Sequence, residues 1–166
     1  TTEIYTLSLH DALPIFSKDA LQCGMSVVGV EDGYLGLIEN RFCEITDDRL
    51  AGILQQGGTI LGSNNKSNPS RFVVGNNPAP PKGDGKPIYA DVTAKCMTHL
   101  RQHGVEALVV IGGDGTLTSA ATFSKLGMPC VGVPKTIDND IVGSEITFGF
   151  QTAVATATEA MDRCRT

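Results

Sequence analysis

The sequence predicts a doubly wound α/β domain built on a mostly parallel sheet. Three observations carry that prediction. Ala107-Leu108-Val109-Val110-Ile111 is a nearly continuous apolar run, the pattern of a strand covered on both faces. Cys130-Val131-Gly132-Val133 is a second such run, reached after one helix-length segment. Strand, helix and strand at short spacing favour parallel pairing through crossover helices.

Taken in order, Ser26-Val27-Val28-Gly29-Val30 reads as a buried strand and Glu31-Asp32-Gly33 as the turn after it. Thr46-Asp47-Asp48-Arg49-Leu50 resembles a capped helix start, with Leu50, Ile53 and Leu54 on one face and Gly57-Gly58 as its stop. Thr59-Ile60-Leu61-Gly62 is expected to form a brief strand that runs into the polar loop Ser63–Pro69. Residues 75–87 are too rich in Pro and Gly for a helix or a central strand and read as a surface loop. Gly85-Lys86 within it is followed by Pro and preceded by no strand, which excludes a P-loop. Tyr89 to His103 is expected to be helical, with Val92, Cys96 and Leu100 on one stripe and Gly104 at its end. Ser119–Leu126 and Phe148–Arg165 read as two further helices.

Composition bounds the function. The chain has 166 residues, 41% hydrophobic and 19% charged, enough for one domain with a core. No apolar run approaches the roughly 18 residues of a membrane helix. A net charge of -5 without a basic stripe argues against a nucleic-acid partner. Five widely spaced cysteines without a C-x-x-C pair read as reduced, mostly buried thiols. His99 and His103 share a helix face at zinc-ligand spacing. The intervening residues lack the Glu of the protease pattern, so a solvated face is expected.

Residues 1–15, TTEIYTLSLHDALPI, are unlike the rest. They show neither helical nor strand periodicity and no signal-peptide pattern. They match the translation of a common short-read sequencing adapter. They are therefore expected to lie outside the domain, which would run over 16–166, and to contribute two of the acids, Glu3 and Asp11.

Two loops carry the chemistry. Gly112-Gly113-Asp114-Gly115-Thr116 leaves the 107–111 strand and opens a helix. Its glycines let the backbone approach a phosphate, and a helix N-terminus favours an anion. Asp114 would repel bare phosphate and so points to a Mg²⁺ bridge. Pro134-Lys135-Thr136-Ile137-Asp138-Asn139-Asp140 leaves the next strand. Consecutive parallel strands bring such loops side by side, outside the carboxyl edge of the sheet. A hydroxyl nucleophile needs a carboxylate to take its proton, and Asp138 and Asp140 offer two.

The second loop, P-K-T-I-D-N-D, resembles a signature of the 6-phosphofructokinase family. Gly143–Ala153, Gly57–Gly62 and Asp32–Leu37 are similar to further segments of that family, so the resemblance spans nearly all of 16–166. It implies the family's N-terminal fold, truncated at both ends. It also implies transfer of the ATP γ-phosphoryl to the 1-hydroxyl of fructose 6-phosphate, with Mg²⁺, in a cytoplasmic glycolytic enzyme that is a homo-oligomer at full length. By that resemblance Asp138 is the base, Thr136, Ile137 and Asp138 line the sugar phosphate site, and Asp140 supports the base or the metal. Gly112–Thr116 hold the donor, with Asp114 on the metal. Gly115 points to ATP, because diphosphate-using members carry Asp there; Lys135 points to diphosphate. Where the family has an Arg near the donor this chain has Asn65, and Lys66 is the expected substitute. The alternatives are the diphosphate-dependent enzyme and a non-catalytic subunit of the same fold. The resemblance further implies that the family's first strand and glycine-rich donor loop precede residue 16 and that its 6-phosphate grip follows Thr166, so the fragment alone is expected to be inactive.

Overall fold

The computed structural model describes residues 2–6, 12–53, 58–76 and 86–165. Six strands form the main sheet in the order β3-β2-β1-β6-β7-β8. These are β1 (Thr2–Thr6), β2 (Ser26–Val30), β3 (Phe42–Ile45), β6 (Val105–Gly112), β7 (Cys130–Thr136) and β8 (Phe148–Gly149). All neighbours pair in parallel except β3, which runs antiparallel to β2 at the edge. The sheet winds outward from β1 in both directions, which is the doubly wound arrangement. The switch point lies between β1 and β6.

The apolar run of β6 explains the layering. Leu108 and Val110 point to one face, Val109 and Ile111 to the other, and all four are buried. The first pair packs with α2 (Tyr34–Glu39), α4 (Thr93–Gln102) and α5 (Asp114–Lys125) through Leu37, Ile38, Met97, Leu100 and Phe123. The second pair packs with α1 (Ala12–Gln22) and α3 (Asp47–Leu50) through Leu13, Ala20 and Leu50. Phe123 is fully buried and its ring stacks on Tyr34 with centroids 5.9 Å apart. Phe123→Ala is expected to cost about 3–5 kcal/mol, because it removes a large ring from a packed layer. Urea unfolding with an unchanged m-value would check it.

Several expectations are corrected. Thr59–Gly62 forms no strand. The place beside β2 is taken by β3, and Gly58 and Gly62, at φ 100° and 73°, bend the segment. Tyr89 and Ala90 belong to β5 (Pro87–Ala90), which pairs antiparallel with β4 (Phe72–Asn76), so the helix begins only at Thr93. Of the loop expected over 75–87, Gly75 and Asn76 end β4 and Pro87 opens β5; residues 77–85 and 54–57, including the Leu54 expected on the α3 face, lie outside the described residues. α5 and α6 (Phe150–Cys164) were expected, but Phe148 and Gly149, expected in the helix, form β8 beside β7; α1, α2 and β3 were not expected. Cys23 and Cys164 are exposed and only Cys96 is buried, its thiol pushed up to about 12 chiefly by burial. His99 and His103 hold Leu37 O and the Asn40 side chain at 2.8 and 3.0 Å, tying α4 to the end of α2.

Of residues 1–15, expected outside the domain, Thr2–Thr6 and residues 12–15 take part in the fold, and residues 1 and 7–11 lie outside the described residues. Thr2–Thr6 pairs in parallel with both β2 and β6, and Ala12, Leu13 and Pro14 are buried in the first turns of α1. The physical reason is the sheet. Without β1, β2 and β6 would each leave a backbone edge unpaired at the slot between them. Thr-Glu-Ile-Tyr-Thr, with β-branched and aromatic residues, can extend into that slot whatever its periodicity.

Candidate functional site

At the carboxyl edge of the sheet a cleft of about 450 Å³ is lined by Gly33 and Tyr34, by Ser63, Asn64 and Asn65, by Ile111, Gly112, Gly113 and Thr116, and by Lys135. It sits beside the switch point, where doubly wound sheets place their ligands.

The first loop is shaped by its glycines. A Cβ on Gly112 would lie 2.6 Å from the Thr116 side chain, so the strand end and the first turn of α5 can close only on glycine there. Gly113 is the helix cap in extended conformation, and the first intrahelical bond runs from Leu117 N to Gly113 O at 3.0 Å. The amides before Leu117 therefore lack helical acceptors. Gly115 differs: its φ is not positive and a Cβ would meet nothing within 4 Å. Neither backbone nor packing requires glycine at that position. Asp114 is exposed in the first helical turn, where its charge suits the dipole. Tyr34 donates its phenol to Thr116 O at 2.9 Å, and burial, with lesser effects from Cys130 and Cys96, holds that phenol well above its usual range. It remains a donor at any working pH.

The second loop begins inside a strand. Pro134, Lys135 and Thr136 complete β7, and Pro134 pairs with Gly112. A Cβ on Gly113 would stand 3.8 Å from Lys135 O, so the two loops are in van der Waals range. Lys135 lines the cleft. Asp138 is exposed; its amide donates to Thr136 Oγ1 at 3.1 Å. Thr136 Oγ1 lies 3.4 Å from Asp138 Oδ2. Ile137 and Asp140 are exposed on the same stretch.

Two residues that the sequence reading missed hold this loop. Asn139 adopts φ 53°, accepts from Thr147 N at 2.8 Å and donates to Glu145 O at 3.3 Å. Thr147 is buried and donates its hydroxyl to Thr136 O at 2.8 Å. Asn in a left-handed position is the available signal for the first; nothing local marks the second. Thr147→Val leaves Thr136 O without this donor and is expected to cost about 1–3 kcal/mol, checked as a lowered urea midpoint.

The expected donor residues divide. Gly112, Gly113 and Thr116 line the cleft, Asp114 and Gly115 lie on the same turn, and Lys66 does not line it. Lys66 is exposed, turned by its amide donating to Asn64 Oδ1 at 2.9 Å; the neighbouring Asn65 faces the cleft instead. Among the described residues no group of three His, Cys, Asp or Glu could cage a metal. No helix there is long and apolar enough to cross a membrane.

A doubly wound sheet with a glycine-walled cleft at its switch point, and a carboxylate loop on the adjoining strand, defines the class. The family model for phosphofructokinase matches residues 9–166, and the chain belongs to that family. It is 48% identical over 146 residues to ATP-dependent 6-phosphofructokinase 2 of Clostridium perfringens, covering 88% of this chain and 38% of the relative. It is 40% identical over 158 residues to the ATP-dependent 6-phosphofructokinase of Actinobacillus succinogenes, covering 95% of this chain and 44% of the relative. The chain thus spans about two fifths of the length of these relatives. The structure of phosphofructokinase from Saccharomyces cerevisiae aligns with a TM-score of 0.75 at 21% identity, over 99% of this chain and 23% of that one. A pyrophosphate-dependent phosphofructokinase from Marinobacter aquaeolei aligns at 0.64 and 18%, over 98% of this chain and 41% of that one. These two likenesses show the shared fold.

Proposed function

We propose that this chain carries the donor loop and the base of an ATP-dependent 6-phosphofructokinase, which transfers the ATP γ-phosphoryl to the 1-hydroxyl of fructose 6-phosphate in glycolysis. The observation that carries the reading is the juxtaposition of the two loops. Gly113 of one backs onto Lys135 of the other across the paired ends of β6 and β7. Phosphoryl transfer asks a protein mainly for positioning, neutralised charge and a proton acceptor. In this reading Gly112–Thr116 seat the donor phosphates with the amides of the α5 terminus. Asp138 takes the proton of the sugar hydroxyl, Thr136 and Ile137 line the sugar phosphate, and Asp140 supports the base or the metal.

Asp114 would hold Mg²⁺. One carboxylate fits that ion, because Mg²⁺ usually takes its other ligands from phosphate and water. When bound it would supply charge neutralisation on the phosphates. The names of the curated relatives support ATP as donor. The open space at Gly115 supports it as well, since the fold does not ask for glycine there. Lys135 in the cleft favours diphosphate as a second reading, since a cation there could stabilise a transferring phosphoryl group. A cytoplasmic homo-oligomer is proposed on the family resemblance alone.

The adapter match of residues 1–15 supports an origin outside the gene, which resequencing of the locus would check. The functional test is an assay of the protein expressed from the longest reading frame that carries this chain, with fructose 6-phosphate and each donor. Turnover with ATP is expected; turnover only with diphosphate would reverse the donor assignment.

A further inference from the structure

Three walls of the cleft come from distant parts of the chain, and one turn joins them. Gly33 and Tyr34 follow Asp32 directly. Asp32 N donates to Leu61 O at 2.7 Å, which anchors the strandless segment leading to Ser63, Asn64 and Asn65. The Asp32 carboxylate lies against Gly62, where any Cβ would collide with it. Tyr34 reaches the third wall through Thr116 O. Asp32 itself sits at φ 51°, a conformation non-glycine residues rarely hold unless their surroundings fix it.

What fixes it is Arg41, which does not line the cleft. Its Nη1 donates to Asp32 Oδ2 at 2.8 Å. Its Nε donates to Glu39 Oε2 at 2.9 Å, and Glu31 Oε2 lies 3.6 Å from Nη1. The Arg41 backbone is held too, by bonds to Gly36 O and from Glu31 N at 2.8 and 3.3 Å. Gly36 is required beneath this arrangement, because a Cβ there would strike the Glu31 carbonyl. A half-exposed ion pair on its own does little for stability. Here the pair sets the orientation of a left-handed turn that two cleft walls share. It also offsets part of three carboxylates that would otherwise repel a phosphate-bearing ligand.

We propose that Arg41 is a positioning residue for the phosphoryl donor, acting through Asp32 on the Gly62–Asn65 wall of the cleft. This rests on the reading of the cleft as the donor site. The test uses the protein from the longest reading frame carrying the chain, with Arg41→Ala and Arg41→Lys. Arg41→Ala is expected to raise the donor KM about five- to tenfold, since small displacements remote from the reacting atoms weaken positioning. The sugar phosphate KM and kcat should stay within about twofold, and Lys should restore part of the loss because it keeps the charge without the fork. Amide exchange at Asp32 should quicken in Arg41→Ala while that of Leu108, bonded to Pro129 O at 2.8 Å, does not. A folded Arg41→Ala protein with an unchanged donor KM overturns the proposal, with or without faster exchange. If the wild-type protein transfers no phosphoryl group from either donor, the functional reading fails. Unchanged exchange at Asp32 would then overturn the pin by itself, and faster exchange would uphold it.

Discussion

Asp138→Asn is expected to lower kcat about 10²–10⁴-fold, the usual contribution of a positioned general base. The substitution keeps the side chain's size and its hydrogen bonding near Thr136. It removes only the ability to accept the sugar proton. Donor binding should be unchanged, because the cleft is walled by Gly112, Gly113, Thr116 and Lys135 and not by Asp138. Stability should also change little, since Asp138 is exposed and forms no ion pair among the described residues. Steady-state kinetics with calorimetric titration of the donor separates these effects. A kcat within a few-fold of wild type would remove Asp138 from the mechanism.

Gly115→Asp is expected to separate donor binding from folding. The position has no left-handed backbone and nothing within 4 Å of an added Cβ, so the variant should fold with its melting midpoint nearly unchanged. A new carboxylate about 4 Å from a phosphate costs about 4 kcal/mol at an effective dielectric constant near 20. The kcat/KM for ATP should therefore fall at least about a hundredfold, while diphosphate, which has no α-phosphate carrying a nucleoside, loses less. Comparing kcat/KM for both donors checks this. Equal losses for the two would show that Gly115 does not govern donor choice.

The legible parts of the sequence were those where local pattern and tertiary need agree. Ala107–Ile111 is apolar because both faces of β6 are covered, so the run alone announced a central strand. The two loops were legible because glycine beside Thr116, and Lys-Thr-Ile-Asp-Asn-Asp after an apolar strand, have few bland explanations. Other elements depend on partners that no window shows. α2 (from Tyr34) depends on Gly36 passing over the Glu31 carbonyl, and β3 exists because it caps the edge of β2. Thr59–Leu61 has strand composition, but Leu61 works instead as a buried anchor whose carbonyl receives Asp32. Lys66 was expected at the donor as the substitute for the family's Arg, yet an Asx turn at Asn64 directs the chain so that Asn65 faces the cleft. Thr2–Thr6 lacks strand periodicity and still forms β1, because the slot between β2 and β6 selects backbone and not side chains.

The central claim is that the Gly112–Thr116 and Lys135–Asp140 loops form one phosphoryl-transfer site. Isotope transfer tests it most directly. The protein from the longest reading frame carrying this chain would be incubated with γ-³²P-ATP, Mg²⁺ and fructose 6-phosphate. Label is expected at the sugar 1-position, at a rate lowered about 10²–10⁴-fold by Asp138→Asn and reduced by Gly115→Asp. Label transfer within a few-fold of the wild-type rate in Asp138→Asn, or no transfer from the wild-type protein, would contradict it.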